Sequence, residues 1–439
     1  MRYAAEHHYT WHEMIWKLFY NIFVVPAMWC TFQCAGFFNE KIRRGIRGRQ
    51  DLANNIREEV NRLGAHQRLW FHSSSLGEFE QAKPIIAAIK RSHPNVSIIA
   101  TFFSPSGYEH SKSYKLADII SYLPFDSYRS VERFVDTVRP TAVIMVRYDV
   151  WPNLIWALRK RNIPVMIANA TMKKKSIRKT FLLRQFHRAL YNCFSSILTV
   201  SDADKDSFGD FQLSHPVVAT VGDTRFDQVK IRSDEAAKKH ILSNKIVRGK
   251  KVFIVGQSWE ADDDVVLPVL FKMQKKLPEL LTIIVPHEPT VEHLEQVEQR
   301  LEGQTSFIRF SEMNQYAGEK VILVDSVGIL VPLYKYAHVA YVGGSFRQGV
   351  HNVLEPAAFS LPVIFGPKHT NSQEAAALAE QGGGFVVEDE KELYRILRTL
   401  FESESKRAEA GKKARHLVDK NLGATDRFLN YLSPIFQSR

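Results

Sequence analysis

Two stretches of this chain combine residue types able to carry chemistry with the spacing of a strand, loop and helix start. The first is Leu69-Trp70-Phe71-His72-Ser73-Ser74-Ser75-Leu76-Gly77-Glu78, a β-rich run followed by an amphipathic pattern that continues to Lys90. Glu78 then falls at a strand's carboxyl end, where open α/β sheets bind ligands. A carboxylate there can act as a general base. Ser75-x-x-Glu78 is also a capping box, and a helix dipole favours an acid in the first turn, so the residue has a purely local reason to be present. The second stretch runs from Val342 through Gly343-Gly344-Ser345 and Gly349-Val350-His351 to Asn352-Val353-Leu354-Glu355-Pro356. Its glycines permit close backbone approach, and a helix start offers unpaired N–H groups, which suits a phosphate or a nucleotide. It matches neither a P-loop nor a G-x-G-x-x-G fingerprint. Asn352-x-x-Glu355 is again a possible capping box, but capping does not explain the glycine density or His351.

Other polar clusters are weaker. Asp202-x-Asp204 follows a strand and has the look of a metal-binding pair, yet Ser201 with Asp204 reads better as a helix N-cap. Asp262, Asp263 and Asp264 fit the first turn of a helix, and Pro286-His287-Glu288-Pro289 ends a strand where it can touch a ligand. No metal site, Ser/His/Asp set or basic stripe interleaved with aromatics can be argued.

From Gln67 onward, β-rich runs alternate with helical patterns, as parallel α/β sheets do. Strands are expected at Arg68 to His72, Val96 to Phe102, Ile119 to Tyr122, Ala142 to Val146, Val165 to Ala168 and Ser196 to Val200. A second series comprises Val252 to Val255, Thr282 to Val285, Val321 to Val324, Val339 to Val342 and Pro362 to Phe365. Two series imply two doubly wound, Rossmann-like lobes, and 439 residues are enough for two or three domains. The expected division is a membrane-attachment segment over 1–50, a first lobe over 51–222, a polar connection over 223–250 and a second lobe over 251–439. Cys30, Cys34 and Cys193 include no C-x-x-C pair, which argues against a disulfide framework or a structural zinc and for a reducing compartment.

The net charge of +12 suggests an anionic partner, and its distribution says which. Residues 40–49 contribute +4 and residues 169–191 contribute +7, so eleven of the twelve net charges lie in two segments. That pattern disfavours a general nucleic-acid surface. The first segment comes directly after the most apolar stretch, Met14 to Phe38, whose length approaches a membrane span, and a basic flank there keeps the rest of the chain in the cytoplasm. Lys17, Pro26 and Gln33 leave open a helix lying in the interface instead. The second segment, with Lys173, Lys174, Lys175, Arg178, Lys179, Arg184 and Arg188 and no acid, has apolar residues at helical spacing. It reads as a basic amphipathic helix, either merely solvated or facing a lipid or phosphorylated substrate.

Taken in order, several motifs resemble the 3-deoxy-D-manno-octulosonic acid (Kdo) transferases that decorate lipid A. His72-Ser73-Ser74-Ser75-Leu76-Gly77-Glu78 is similar to the family's H-[AS]-x-S-x-G-E. Leu123-Pro124-Phe125-Asp126, Asp149-Val150-Trp151-Pro152-Asn153 and Ala168-Asn169-Ala170 come next, with Ser176 after them. Gly222-Asp223-Thr224-Arg225-Phe226-Asp227 looks like G-N-x-K-F-D, and Asp325-Ser326-Val327-Gly328-Ile329-Leu330 resembles D-T-x-G-E-L. Gly343-Gly344-Ser345 through His351-Asn352-Val353-Leu354-Glu355-Pro356 matches G-G-S-x(n)-G-G-H-N-x-L-E-P. The resemblance covers residues 40 to 390.

The resemblance implies a GT-B glycosyltransferase of α/β class, two Rossmann-like lobes facing a cleft behind an N-terminal membrane-attachment helix. It would move Kdo from CMP-Kdo to a lipid A precursor with inversion and without a metal or cofactor, at the cytoplasmic side of the cell inner membrane, single-pass or peripheral, in lipopolysaccharide core synthesis. Expected partners are CMP-Kdo, a lipid A precursor and membrane lipids, with no nucleic acid. Glu78 falls on the family's general base and Arg225 on a transition-state stabiliser. Pro286, His287, Gly328, Ile329, Leu330, Asn352, Val353, Leu354 and Glu355 fall on CMP-contacting positions, with Glu355 placed for the ribose. Gly343, Gly344, Ser345 and Gly349 form the expected phosphate loop, and Lys173, Lys174, Lys175 and Arg178 the expected acceptor contacts. Four motifs depart from the pattern. The family's E-T-E-L-W-P-N begins Arg147-Tyr148-Asp149, putting a cation where another stabilising Glu stands and leaving Asp149 to cover part of its role. P-R-H reads Pro286-His287-Glu288, Thr171 replaces an Arg, and Ile329 replaces the Glu of G-E-L. Competing readings are a GT-B transferase or epimerase using a UDP-sugar, and a basic membrane-attached binding protein.

Overall fold

The computed structural model describes residues 11–64 and 66–437. Its β-rich runs form two all-parallel seven-stranded sheets, each in a separate compact unit. The first sheet contains β1 (Arg68–Ser73), β2 (Ser97–Phe102), β3 (Ile119–Tyr122), β4 (Ala142–Val146), β5 (Val165–Ala170), β6 (Ser196–Thr199) and β7 (Val217–Thr220) in the order β3-β2-β1-β4-β5-β6-β7. The second contains β8 (Lys251–Ser258), β9 (Leu280–Pro286), β10 (Phe307–Arg309), β11 (Val321–Leu323), β12 (Val339–Val342), β13 (Val363–Phe365) and β14 (Gly384–Val386) in the order β10-β11-β9-β8-β12-β13-β14. Both are doubly wound Rossmann-like sheets of the GT-B type. In each the winding reverses once, between β1 and β4 and between β8 and β12, and a crevice at the carboxyl ends of such a pair is where ligands bind.

Every strand expected from the sequence is present. β7, β10 and β14 are additional to that expectation, because they are three or four residues long and lie at or next to sheet edges, where little periodicity accumulates. Central strands such as β4 are buried at every position, as strands covered by helices on both faces must be.

The domain boundaries differ from the expected ones. The polar 223–250 segment contains helices Thr224–Ala237 and Asn244–Val247, and the first unit extends to Gln228. The chain then returns: residues from Leu422 onward belong to the first unit, not the second. Helix Ala424–Gln437 buries Phe428 and Leu432 among the side chains of helix Leu76–Ser92 and β1. Asp227 accepts hydrogen bonds from the backbone N–H groups of Gly423 and Thr425 and from the Thr425 hydroxyl, each at 2.7 Å, and so anchors the start of that helix.

The N-terminal segment is a helix from Trp11 to Phe38 broken by a π turn at Tyr20–Val24, with helix Glu40–Arg47 after it. Met14–Phe38 is long and apolar enough to cross a membrane, by length and composition. One face is docked on the first unit along most of its length. Trp16 packs on Phe186, Tyr20 on Trp156, and Phe32 on Phe103 and Phe125. The Asn21 and Asn153 amides exchange two 2.9 Å hydrogen bonds. Ile15, Leu18, Ile22, Phe23, Trp29, Phe37 and Phe38 remain exposed.

The basic amphipathic helix expected over 169–191 is not one helix. β5 ends at Ala170, Lys173 to Lys175 stand exposed in a turn, Ile177–Lys179 forms a 3-10 turn capped by Ser176, and the α-helix covers only Phe181–Tyr191. Clustered cations with no acid at i+4 leave the lysine stretch without helical side-chain support. Ile177, Phe181 and Leu182 are as open to solvent as surface residues, at 72%, 71% and 68%. Basic and apolar residues thus share one surface.

Candidate functional site

The reversal point of the first sheet gathers Glu78, His72, Ser74, Asp149 and Trp151. β1 pairs with β4 so that His72 lies opposite Met145, and both strands run out toward the same edge. Ser75 caps helix Leu76–Ser92 and the reciprocal capping box with Glu78 is formed. Glu78 Oε2 accepts the N–H of Ser74 at 2.6 Å and that of Ser75 at 3.3 Å. The two sequence readings of this residue are therefore compatible: the cap fixes one carboxylate oxygen and aims the other. Burial, and then the nearby charge of Asp149, push the Glu78 carboxyl above its usual range, more than the backbone donors and His72 lower it. A buried carboxylate with a raised pKa is a better proton acceptor than a solvated one.

Asp149 is held by three donors on one oxygen. His72 Nε2 lies 3.0 Å from Oδ2, the Trp151 indole N–H donates to it at 3.1 Å, and the Ser74 hydroxyl also donates to it. Burial opposes ionisation of Asp149, but these donors outweigh it and its pKa lies below the ordinary value. The Trp70 indole donates to Thr101 Oγ1 at 2.7 Å, and Thr101 Oγ1 lies 3.0 Å from His72 Nδ1. Ionised Asp149 can only accept, so the His72 Nε2 that faces it carries a proton, and the Trp151 indole nitrogen lies 3.2 Å from the same ring nitrogen. Trp151 stacks on Phe103 at 4.7 Å, and the Arg49 guanidinium sits 4.6 Å from the Phe103 ring centre while donating to the carbonyls of Leu123, Gly45 and Phe103. His72, Trp151 and Arg49 are not among the site residues that sequence reasoning selects. The only signal is that His72 and Trp151 occur within the ordered motifs.

Arg147 directly succeeds β4, with a left-handed backbone (φ 66°) and a buried Nε that has no hydrogen-bond partner. Arg225 lies on helix Thr224–Ala237, where its Nε and a terminal N–H group bond Asp223 at 2.8 and 2.7 Å. Thr224 ties the start of that helix to β5 through Asn169 and to helix Leu76–Ser92 through the Gln81 carbonyl.

At the reversal point of the second sheet, three rings stack. His287, after β9, is 4.7 Å from Trp259, after β8, and 4.3 Å from His351 with only 9° between planes. The Trp259 indole donates to His351 Nε2 at 2.9 Å, so that nitrogen carries a lone pair and the proton sits on Nδ1. Burial, reinforced by His287, pushes the His351 pKa down to about 4. Gly344 has φ 94°, and a Cβ there would come within 2.8 Å of the His351 ring, so the glycine is what admits the ring. Asp262 accepts the Gly344 N–H at 2.8 Å and the Tyr341 hydroxyl at 2.7 Å, fixing the loop from below. Ser345 is fully buried and its hydroxyl accepts the Gly366 N–H, so it holds the loop itself. Gly349 is left-handed, with Asn371 against its Cα.

Among the other expected nucleotide positions, Pro286 ends β9, Gly328 (φ 82°) and Ile329 form the turn before helix Leu330–Leu333, and Leu330 packs over Gly256. Asn352 caps through the Leu354 N–H at 3.1 Å, and helix Leu354–Ala358 has five residues. Val353 and Glu355 are buried, with Arg232 3.6 Å from the Glu355 carboxylate. Ser201 caps Asp204, whose carboxylate accepts the Met172 N–H, as the capping reading expects. No group of three or more His, Cys, Asp or Glu side chains among the described residues is placed to hold a metal.

A family profile described as 3-deoxy-D-manno-octulosonic-acid transferase (kdotransferase) matches residues 46–228. The 3-deoxy-D-manno-octulosonic acid transferase of Aquifex aeolicus (strain VF5) is 31% identical over 368 residues, covering 83% of this chain and 94% of its own. The chain belongs to the Kdo transferase family. The same-named protein of Haemophilus influenzae is 28% identical over 435 residues, 96% of this chain and 99% of its own. Family membership makes this chain a glycosyltransferase. Among solved structures, a UDP-GlcNAc 2-epimerase from Neisseria meningitidis bound to UDP-GlcNAc aligns over 84% of this chain and 100% of its own, with 13% identity and a TM-score of 0.59. A glycosyltransferase from Rickettsia africae ESF-5 aligns over 85% and 100%, with 11% identity and a TM-score of 0.55. At such identities these likenesses speak for the fold alone.

Proposed function

We propose that this Kdo transferase family member takes Kdo from CMP-Kdo and attaches it to a hydroxyl of a lipid A precursor, inverting the anomeric centre and using no metal. The observation that carries the reading is the Glu78 carboxylate, aimed by its capping box and raised in pKa beside Asp149. In the reaction Glu78 accepts the acceptor hydroxyl proton, the oxygen forms its bond to the anomeric carbon, and the bond from that carbon to the CMP phosphate oxygen breaks. CMP leaves with the electron pair, and attack from the opposite face inverts the centre. The loop Gly343, Gly344, Ser345 and Gly349 is assigned to the charge that develops on the phosphate, and Arg225 is kept as a transition-state stabiliser. The neutral Trp259, His287 and His351 stack, with Pro286, Gly328 to Leu330 and Asn352 to Glu355, is assigned to the nucleotide.

The N-terminal helix is assigned to the inner membrane, with both units on the cytoplasmic side. Contacts with the first unit from Trp16 to Phe32 support a helix lying along the bilayer, since a spanning helix would carry those contacts into hydrocarbon. Its exposed apolar face and the Lys173 to Lys175 turn with Ile177, Phe181 and Leu182 suit a lipid acceptor that is anionic at one end and acyl at the other.

The test is incubation with CMP-Kdo and a tetraacylated lipid A precursor, then mass spectrometry of the lipid. A product heavier by one or more Kdo units is expected, and Glu78→Gln is expected to lower kcat by about 10³-fold, within the usual range for loss of a general base. Full activity in that variant would remove Glu78 from its role. Turnover of a UDP-sugar instead of CMP-Kdo would replace the donor.

A further inference from the structure

Arg147 is a cation for which the protein supplies no anion among the described residues. It stands at the carboxyl end of β4, two residues before Asp149, in a left-handed conformation that non-glycine residues adopt rarely and that concentrates at functional sites. Its backbone N–H is fixed to the Ala168 carbonyl at 2.8 Å. Its Nε is buried without a partner, and no ion pair forms on it among the described residues. The nearest carboxylate in sequence, Asp149, has Oδ2 taken by His72, Ser74 and Trp151, and Glu78 Oε2 is taken by two backbone N–H groups. A second cation converges on the same turn. Arg178 donates to the Tyr148 carbonyl at 3.2 Å and to the Tyr191 hydroxyl at 3.2 Å, and neither partner is charged.

We infer that Arg147, with Arg178, forms a binding site for an oxyanion carried by the acceptor, a phosphate or a carboxylate, and thereby selects the acceptor. This rests on the glycosyl-transfer reading above and deepens it. Arginine suits planar, forked recognition of such groups. Where the family pattern has a Glu, an anion on the acceptor would be repelled. With Arg147 it is held at the carboxyl end of β4, so the site discriminates acceptors by charge.

The experiment compares wild type, Arg147→Met, Arg147→Glu and Arg147→Lys on three acceptors with CMP-Kdo as donor. These are a bisphosphorylated tetraacylated glucosamine disaccharide, its singly dephosphorylated form, and the bisphosphorylated lipid already bearing one acidic sugar. Arg147→Met should raise the KM for the preferred acceptor by about 10-fold and Arg147→Glu by more, the range for loss of a charge-assisted contact, while the KM for CMP-Kdo moves less than about 2-fold. Arg147→Lys should recover part of the loss. If the anion is a phosphate, the difference between wild type and Arg147→Met vanishes on the dephosphorylated lipid. If it is a carboxylate, the difference appears only on the lipid carrying the acidic sugar. An unchanged acceptor KM, an equal loss on all three lipids, or a matching rise in donor KM overturns the assignment. Binding of the same lipids in detergent micelles without donor reads the site independently of turnover, so a wild-type protein that ignores CMP-Kdo would sink the donor reading while the anion dependence of binding still decides this one.

Discussion

The two sheets reverse their winding at equivalent places, β1 beside β4 and β8 beside β12, yet the chemistry built there is opposite in character. The first unit concentrates ionisable groups. Asp149 is kept charged by His72, Ser74 and Trp151, and its charge helps raise the pKa of Glu78. The second unit removes charge. Trp259 commits His351 to a neutral form, His287 stacks on it with its own pKa lowered by burial, and the acid beneath the loop, Asp262, is taken up by the Gly344 N–H and the Tyr341 hydroxyl. The same backbone scaffold thus suits proton transfer in one unit and the holding of an aromatic, anionic nucleotide in the other. Topology says where a site lies, and side chains at four strand ends say what it does.

The sharpest way to break this contrast is to take the charge from the first unit. Asp149→Asn keeps the shape but removes the anion that disfavours ionisation of Glu78. The sign is fixed: a general base works deprotonated, so activity rises with pH through its pKa, and lowering that pKa moves the acid limb of kcat/KM to lower pH. A fall in kcat of about 10- to 100-fold is expected as well, because a less basic Glu78 and a freed His72 both weaken catalysis. The pH–rate profile checks it. An acid limb that stays put while activity falls would mean that Asp149 acts on the substrate directly and not through Glu78.

For the second unit the corresponding change introduces charge where there is none. Trp259→Phe keeps a ring in the stack but deletes the N–H that occupies His351 Nε2. His351 then becomes free to take a proton there, and its pKa should climb from about 4, while the burial and the neighbouring His287 that lower it both remain. Calorimetry should show CMP binding that is several-fold weaker at pH 8 and recovers as the pH falls toward 5, where the imidazolium meets the phosphate. The CMP phosphate itself gains a proton near pH ~6, so wild type over the same window supplies the baseline, and the recovery of the variant should exceed it. A variant profile parallel to that of wild type would take His351 out of contact with the nucleotide phosphate.

The contrast also explains what sequence can and cannot reveal. The expected strands are runs rich in Val, Ile, Leu and aromatic residues, so all eleven appear, whereas the edge strands β7, β10 and β14 offer only three or four residues to a pattern. Glu78 and the Gly343–Glu355 loop are legible because they sit on local strand-loop-helix signatures. The partnership of Asp149 with His72, 77 residues apart, is not, since parallel crossovers bring together residues that share no local pattern. Asp227 belongs by sequence to a motif with a cation, but in the fold it holds the C-terminal helix. The Lys173 to Arg188 stretch reads as a helix because its apolar residues recur at the right interval. Their exposure shows that periodicity reports a face without saying whether that face meets a core or a membrane.

The smallest expected effect concerns the contact between the N-terminal helix and the charged unit. Asp126 accepts hydrogen bonds from the Tyr20 hydroxyl at 2.9 Å and from the backbone N–H groups of Asn153 and Leu154 at 3.1 Å each, close beyond Trp151 in the chain. Burial pushes its pKa up to about 7 despite those three donors. Because the folded protein then holds the proton more tightly than the unfolded chain, this group's contribution to stability is present in full below the ordinary carboxylate range, falls as the pH rises toward 7, and is constant above it. Tyr20→Phe removes one donor to the carboxylate, so it should cost about 1 kcal/mol, the usual worth of a buried hydrogen bond, with most of the loss at pH 8 where Asp126 is ionised. Asn21→Ala at the neighbouring amide pair offers the control, since an uncharged contact should cost the same at either pH. Denaturant unfolding at pH 5 and pH 8 separates the two. If both variants lose the same stability at both values, Asp126 does not titrate in this range and the helix is held by shape alone, which would confine the influence of charge in the first unit to the neighbourhood of Glu78.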